Sequence, residues 1–379
     1  CIIACQRGGF GGGFIDDVPD DAEDIVVTLD AAGGADYDVP LYTVDRADNI
    51  AYIVNDAEIK VLFVGDQEQL DKAMAFYESN RFLKKILVFN RSVPLETRND
   101  ILYFDDFLEQ GRASRKEDEI RKRMERATEE DLLTLVYTSG TTGEPKGVML
   151  THASILFEKE AHDKRLMDPN ENDISLCFLP LSHIFERCWT YYALATGMEN
   201  NYLDDPAAIL DMIQEVRPTI MCAVPRFYEK IYAAVNNRLE SASPLRRKLF
   251  RWAMQVGAEY GNRKKDGNAV APVLKLKHKL ADALVLKKIR DLVGGRIRFF
   301  PCAGAPLSQE IDEFFYAAGL FVCYGYGLTE TCATVTCREP RGFRFGTVGK
   351  PLPGVEVEID PANSEILVRG ANVMKGYYK

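Results

Sequence analysis

The chain has 379 residues, of which 46% are hydrophobic and 27% are charged, and its formal net charge is −10 at pH 7. This length allows two or three lobes with cores of their own. The acidic balance argues against nucleic acid as a partner. No apolar run is long enough for a membrane helix, and no signal peptide is apparent.

Nine cysteines are spread along the chain without a C-x-x-C pair, and several lie inside apolar runs. Such spacing provides no zinc framework and is typical of reduced, buried cysteines. We therefore predict a cytoplasmic protein without a cysteine-based metal centre.

Residues 1–36 have the least globular character. A glycine-rich run at residues 8–13 precedes an acidic cluster at residues 16–24, and only residues 25–29 could form a strand. A glycine-rich nucleotide loop would need a strand before it and a helix after it, and neither is indicated. We predict a disordered or misread terminus.

From residue 37 onward, helical patterns alternate with apolar runs. The first of these elements are predicted over residues 45–56 (helix), 60–65 (strand), 67–79 (helix) and 85–89 (strand). Continuous apolar strands alternating with helices predict an α/β fold with parallel-rich sheets flanked by helices. The highly charged residues 112–130 predict a solvated helix or linker.

Residues 137–151, Y-T-S-G-T-T-G-E-P-K-G-V-M-L-T, form a loop predicted to lie between a strand (132–136) and a helix (153–165). Glycines let backbone N–H groups turn toward one point, and the neighbouring hydroxyl groups add further donors. Lys146 adds a positive charge. We predict a polyphosphate nest, but not a Walker A loop, because Pro145 stands where that motif requires glycine.

The alternation continues through further predicted strands at residues 174–179, 219–224, 296–300 and 321–324, and helices at residues 184–195, 207–216, 227–239 and 309–318. Residues 244–292 are helix-rich and basic, which predicts a solvated surface. A peripheral contact with the inner membrane surface, or with polyphosphate, is the alternative. Beyond residue 346, short strands and turns predict a small β lobe. The predicted domains are therefore residues 1–36, 37–345 and 346–379.

Two strand ends carry small residues that suit a nucleotide. After the first, Gly304, Ala305 and Pro306 expose backbone on which a flat ring could lie, and Ser308 could cap the next helix. The second is Y-G-Y-G-L-T-E-T at residues 324–331, which offers aromatic faces, a hydroxyl and the Glu330 carboxylate. Mg²⁺ favours one or two carboxylates together with phosphate oxygens, so this pattern predicts Mg-ATP.

The run L-P-L-S-H-I-F-E-R at residues 179–187 places His183 at the start of a predicted helix. A histidine in that position is more often structural than catalytic, but this one lies between two phosphate-type motifs. Trp189 follows on the same helix and is most simply a core residue. Lining an acyl tunnel is the alternative.

The run from Tyr137 to Gly147 resembles the phosphate-binding signature of the adenylate-forming superfamily. That superfamily comprises acyl-CoA synthetases, luciferase-like enzymes and amino-acid adenylation domains. Residues 179–187, the V-P-R-F-Y run at residues 224–228 and the helical insert at residues 244–292 resemble its long-chain fatty-acid–CoA ligase branch. The resemblance implies the N-terminal domain fold of an acyl-CoA synthetase.

The resemblance also implies functional residues. ATP phosphates would bind Thr138, Ser139, Gly140, Thr141, Thr142, Gly143 and Lys146. Adenine would bind Gly304, Ala305, Pro306, Tyr324, Gly325 and Tyr326. Mg²⁺ would bind Glu330, with Thr138 as a second contact, and the acyl substrate would meet His183, Trp189 and Gly327. Lys146, Thr329, Glu330 and His183 would be catalytic.

The implied reaction has two half-steps: ATP and a fatty acid give acyl-adenylate, and coenzyme A then displaces AMP. The chain stops before the family's Y-x-T-G-D motif, so the resemblance implies a truncated protein that lacks the C-terminal lid and has weak or no turnover. Two alternatives remain: adenylation of another carboxylic acid, as in luciferase-like or amino-acid-adenylating enzymes, and a nucleotide- or acyl-binding module without turnover. A P-loop phosphotransferase is a weaker third alternative. The oligomeric state stays open.

Overall fold

The computed structural model describes residues 27–30, 36–114, 116–138 and 143–379. The chain divides into two compact units. Unit 1 comprises Cys1–Phe157, Pro180–Arg187 and Val373–Lys379, and unit 2 comprises Glu158–Leu179 and Cys188–Asn372. Sequence predictions for residues 1–26, 31–35, 115 and 139–142 lie outside the described residues.

Unit 1 is a single mixed sheet with helices. Its strands are β1 (Val27–Asp30), β2 (Asp36–Asp38), β3 (Val61–Val64), β4 (Lys85–Val88), β5 (Ile101–Tyr103), β6 (Leu132–Thr138) and β7 (Lys146–Thr151). Its helices are α1 (Ala47–Asp56), α2 (Gln67–Tyr77), α3 (Phe104–Ala113) and α4 (Glu117–Arg126). The strand order is β5-β4-β3-β1-β2-β6-β7. The β3–β4, β4–β5 and β2–β6 pairs are parallel.

Apolar periodicity explains the core of unit 1. Ile50, Ile53 and Val54 lie on one face of α1 and are buried in the same core as Leu62 and Ile86 of the neighbouring strands. This is the spacing that gives a helix one apolar stripe. Helix α4 has no buried residue, so the predicted solvated helix within residues 112–130 is confirmed.

The predicted order of strand, loop and helix around the loop motif was wrong, because a second strand lies between the loop and the helix. Residues Lys146–Thr151 form a second strand, β7, which pairs antiparallel with β6 before α5 (His152–Arg165) begins. Val148 and Leu150 are fully buried, and Met149 between them is only partly buried. That period of two is the pattern of a strand.

Helices α5 and α6 (Ile184–Thr196) contain residues of both units. The strands of unit 2 are β8 (Ile174–Cys177), β9 (Glu199–Tyr202), β10 (Phe299–Cys302), β11 (Phe321–Tyr326), β12 (Thr336–Cys337), β13 (Lys350–Pro351), β14 (Glu356–Ile359) and β15 (Ile366–Arg369). Its helices are α7 (Ile209–Val216), α8 (Pro225–Glu240), α9 (Pro244–Lys265), α10 (Pro272–Ala281), α11 (Lys287–Asp291) and α12 (Gln309–Ala317). A π-helical turn, Asp282–Leu286, joins α10 to α11.

Strands β10 and β11 form the part of unit 2 that positions the sequence motifs. They are parallel and pair Cys302 with Tyr324, and β12 and β13 continue this sheet antiparallel. Carboxyl ends of parallel strands meet at one edge of a sheet, where ligands commonly bind. Fully buried Phe299 and Phe300 anchor β10 in the core.

The predicted strand at residues 219–224 is present only as two isolated parallel bridges, from Ile220 to Phe299 and from Ala223 to Cys302. Pro301 has no N–H group, which interrupts the ladder between them. The short strands predicted after residue 346 are confirmed as the antiparallel pair β14–β15. None of the described helices is both long and apolar enough to cross a membrane.

Candidate functional site

The loop motif begins on β6 and ends on β7. Residues Ser139, Gly140, Thr141 and Thr142 lie outside the described part of the chain. Thr138 and Lys146 stand directly opposite one another in the antiparallel register, so both side chains project from the same face. Gly143 and Lys146 are exposed. We call the paired ends of these strands the β6–β7 corner; it presents a hydroxyl and a cation together.

An aromatic ring packs against the cation of this corner. The Lys146 ammonium lies 5.1 Å from the centre of the Tyr377 ring. Residues 375–378 run along β7, with the Met149 N–H donating to the Gly376 carbonyl at 3.0 Å and the Tyr378 N–H donating to the Gly147 carbonyl at 2.8 Å. Sequence reasoning missed this role of Tyr377, because the pairing joins segments far apart in the chain.

The ring of Tyr137, across the hairpin, leaves no room for a side chain at Gly147. A Cβ atom at Gly147 would lie 2.9 Å from the ring of Tyr137, whose hydroxyl donates to Asp56 Oδ2 at 2.6 Å. Burial, together with the Asp56 carboxylate, raises the pKa of Tyr137 far above its ordinary range. Tyr137 is therefore a neutral donor that ties the hairpin to the end of α1.

His183 immediately precedes α6 and caps it. Its Nδ1 accepts a hydrogen bond from the Phe185 N–H at 3.2 Å, which assigns the proton of the neutral ring to Nε2. Desolvation by surrounding protein lowers the pKa of His183, although the side chain itself is exposed. The ring is thus neutral at pH 7 and carries one N–H donor. Arg187 of the same motif forms a buried ion pair with Asp38.

In unit 2, one tyrosine joins two of the predicted motifs. The Tyr324 hydroxyl donates to the Ala305 carbonyl at 3.0 Å and accepts from the Leu307 N–H at 3.1 Å. Tyr324 is buried, whereas Ala305 and Pro306 are exposed and Tyr326 is half-buried at the end of β11. Tyr324 therefore positions the turn after β10, and Tyr326 and the turn present the accessible surface. We call residues 304–306 and 324–330 the β10–β11 edge.

A buried ion pair lies behind this edge. Arg338 and Asp312 are 1% and 3% exposed, and the guanidinium group pairs with the carboxylate. Burial raises the pKa of Asp312 and Arg338 opposes that shift. The guanidinium carbon also lies 5.3 Å from the centre of the Tyr324 ring, and Nε donates to the Thr347 carbonyl at 2.8 Å.

The turn that carries Thr329 and Glu330 is fixed from two sides. A Cβ atom at Gly327 would lie 1.8 Å from the Ala333 carbonyl oxygen, so only glycine fits where the turn closes. Fully buried Asn372 donates through Nδ2 to the Thr334 carbonyl at 3.0 Å. The Thr331 hydroxyl accepts from the Leu328 N–H at 2.9 Å.

These contacts hold Thr329 and Glu330 half-buried at the strand end. Sequence reasoning missed Asn372, since a single asparagine after a short strand carries no motif.

Trp189 occupies a core position in unit 2. Its indole N–H donates to Ser175 Oγ at 2.9 Å, and its ring stacks on Tyr192 with centres 5.4 Å apart. The acyl-lining roles of Trp189 and Gly327 stay predictions.

Within the described ranges, no three or more histidine, cysteine, aspartate or glutamate side chains are grouped to hold a metal ion. Mg²⁺ bound to nucleotide phosphates needs only one or two carboxylates, and Glu330 fits that requirement. The seven cysteines in the described ranges are all buried, and no disulfide joins them.

Comparison with known proteins decides the family, because residues 31–378 match the sequence profile described as AMP-binding enzyme. The chain belongs to the AMP-binding enzyme family. It is 30% identical over 371 residues to long chain acyl-CoA synthetase 4 of Arabidopsis thaliana, a match covering 90% of this chain and 53% of that protein. It is 31% identical over 344 residues to the long-chain-fatty-acid–CoA ligase FadD15 of Mycobacterium bovis, covering 90% and 55%.

The chain spans about half the length of these curated relatives. Solved structures of similar fold include the anthranilate CoA ligase AuaEII with anthranoyl-AMP, with a TM-score of 0.61, 19% identity and coverage of 89% and 56%. The N-terminal domain of FACL13 from Mycobacterium tuberculosis has a TM-score of 0.58 at 19% identity and coverage of 90% and 71%. The predicted α/β fold and superfamily are confirmed.

Proposed function

We propose that this protein takes part in the ATP-dependent activation of a long-chain fatty acid to acyl-adenylate, followed by transfer of the acyl group to coenzyme A. The observation that carries the proposal is the Tyr324 hydroxyl, which holds the exposed turn at Ala305 beside the end of β11. The β10–β11 edge that Tyr324 holds lies within residues 31–378, which match the AMP-binding enzyme family. The curated relatives named long-chain synthetases support the class of acid.

In the first half-step, a carboxylate oxygen of the fatty acid attacks the α-phosphorus of ATP, and pyrophosphate leaves. This step needs positioning and charge neutralisation rather than a nucleophilic side chain. We assign adenine to the turn after β10 and to Tyr326, and the phosphates to the β6–β7 corner with Lys146. Thr329 lies in the turn assigned to the α-phosphate, and the Nε2–H of His183 is assigned to the acyl carboxylate.

Glu330 would hold Mg²⁺. Bound there with ATP, the metal supplies charge neutralisation of the phosphates. The fit rests on the half-buried carboxylate of Glu330, in a turn that Thr331 and Asn372 hold in shape.

In the second half-step, the coenzyme A thiol attacks the acyl carbonyl, AMP leaves, and a thioester forms. We also propose that the protein makes a peripheral contact with a membrane surface, where it would bind the fatty acid.

A panel of non-hydrolysable acyl-sulfamoyl adenosines tests both nucleotide binding and acid class. The palmitoyl compound should raise the melting temperature of this chain more than the benzoyl or alanyl compound does. A ligand at 100 times its Kd stabilises a protein by about 2.7 kcal/mol, which is readily measured. Tyr326→Ala should reduce the effect of all three compounds. Equal shifts for the three compounds, or none, would contradict the proposal.

A further inference from the structure

Four large apolar side chains are exposed along one side of the helical insert. Val273, Leu276, Leu280 and Leu284 are 67%, 71%, 53% and 40% exposed, respectively. Their spacing of three, four and four residues places them on one helical face, which runs from α10 into the π-helical turn. We call these four residues the apolar stripe.

The stripe is not the inner face of an unpacked helix, because α10 buries a different face. Leu274, Ala281 and Leu286 pack with Ala253 and Val256 of α9 in a small core of their own. His278 of α10 also stacks on Tyr260 of α9, with ring centres 3.8 Å apart. The helix is thus anchored on one side while it exposes four apolar residues on another.

The charged side chains of α10 have one sign. Residues 267–281 contain no aspartate or glutamate, whereas the whole chain has a net charge of −10. Lys277 and Lys279 of α10 are exposed at the two edges of the stripe, and Lys275 is exposed farther round the helix. The nearest acid in sequence, Asp282, pairs with Arg290 at 2.7 Å. The insert therefore presents exposed leucines next to exposed lysines.

We propose that the apolar stripe docks on the surface of a membrane that contains anionic lipid, with α10 lying in the plane of the interface. Helices that bind this way place apolar residues among the acyl chains and lysines among the phosphates, and their affinity depends on both. Two copies of the stripe would bring like charges together, which disfavours self-association as its role. The docking does not depend on the proposed ligase activity, but with that activity it would bring the enzyme to the phase where long-chain fatty acids dissolve.

Vesicle sedimentation with the full chain tests this docking. The protein should sediment with vesicles of mixed phosphatidylcholine and phosphatidylglycerol, and much less with phosphatidylcholine alone. Leu276→Ser combined with Leu280→Ser should weaken binding at least tenfold. Replacing Lys277 and Lys279 by glutamine should weaken it about 25-fold, since each lysine near an anionic surface contributes about fivefold. Leu210→Ser, which changes a leucine that is 48% exposed on α7, is the matched control and should bind like the parent.

Circular dichroism establishes that the variants fold, and the exposure of the changed residues predicts that they do. Equal vesicle binding by parent, stripe and lysine variants would overturn the proposal. The proposal would also be overturned if the parent self-associated without binding vesicles and the Leu276→Ser, Leu280→Ser variant did not self-associate. The stripe would then bind a second copy of the chain. The acyl-sulfamoyl adenosine panel is unaffected by either result, so failure of the docking and failure of the proposed activity are distinguishable.

Discussion

The β10–β11 edge and the β6–β7 corner are built in different ways. At the edge, buried side chains fix the backbone that a ligand would meet: the Tyr324 hydroxyl bonds to the turn after β10, and Asn372 bonds to the turn that carries Glu330. At the corner, the functional group itself, Lys146, is exposed and rests on the ring of Tyr377. The first arrangement suits recognition of shape, and the second suits neutralisation of charge.

The largest expected effect comes from breaking the support of the edge. Arg338→Met leaves the Asp312 carboxylate buried without its cation, which should lower the free energy of unfolding by about 3–5 kcal/mol. Urea unfolding measures the loss, and hydrogen exchange should show it in β11 rather than β6. Adding Asp312→Leu removes the buried charge and should restore most of the stability. If Arg338→Met alone unfolds like the parent, the ion pair does not support the edge.

A smaller and different effect is expected at the corner. Lys146→Gln removes the cation, and hydrogen bonds to charged groups contribute about 1.5–3 kcal/mol, so Mg-ATP affinity should fall about 10- to 100-fold. Because Lys146 is exposed, the free energy of unfolding should change by less than about 0.5 kcal/mol. Titration calorimetry and urea unfolding measure the two quantities. Lys122→Gln, on the fully exposed helix α4, is the control and should change neither. Unchanged ATP affinity in Lys146→Gln would remove the corner from the nucleotide site.

The smallest expected effect is that of removing the Tyr324 hydroxyl. It distinguishes positioning of the turn for ATP binding from a contribution to folding stability alone. Tyr324→Phe removes two hydrogen bonds to the turn, which should cost about 1 kcal/mol of stability and about fivefold in ATP affinity. Tyr316→Phe is the matched control, because its hydroxyl also donates to a backbone carbonyl, that of Gly261 at 2.9 Å. It should cost similar stability and leave ATP affinity unchanged. Equal affinity losses in both variants would mean that the Tyr324 hydroxyl has no special place in the site.

Local patterns predicted the features that depend on local physics. The turn at residues 304–306 and the run at residues 324–331 follow strands with unbroken apolar sequence, and the parallel register then brings them to one edge. Strand β7 was missed because its short alternation was hidden inside the loop motif. The strand at residues 219–224 was overestimated because Pro301, which interrupts its ladder, belongs to a different element.

The supporting residues could not be predicted, because their roles depend on contacts between distant parts of the chain. Tyr377 reaches Lys146 only through the pairing of residues 375–378 with β7. Asn372 follows β15 and acts on the turn after β11. Neither residue stands in a pattern of charge or periodicity that indicates such a partner.

Photolabelling with 2-azido-ATP in the presence of Mg²⁺ tests most directly the claim that the β10–β11 edge binds adenine. Labelled peptides should contain residues 304–306 or 324–327, and unlabelled ATP or palmitoyl-sulfamoyl adenosine should prevent the labelling. Two results would contradict adenine binding at the β10–β11 edge. One is labelling that the competitors reduce but that is confined to peptides outside this edge, and the other is labelling that no competitor reduces.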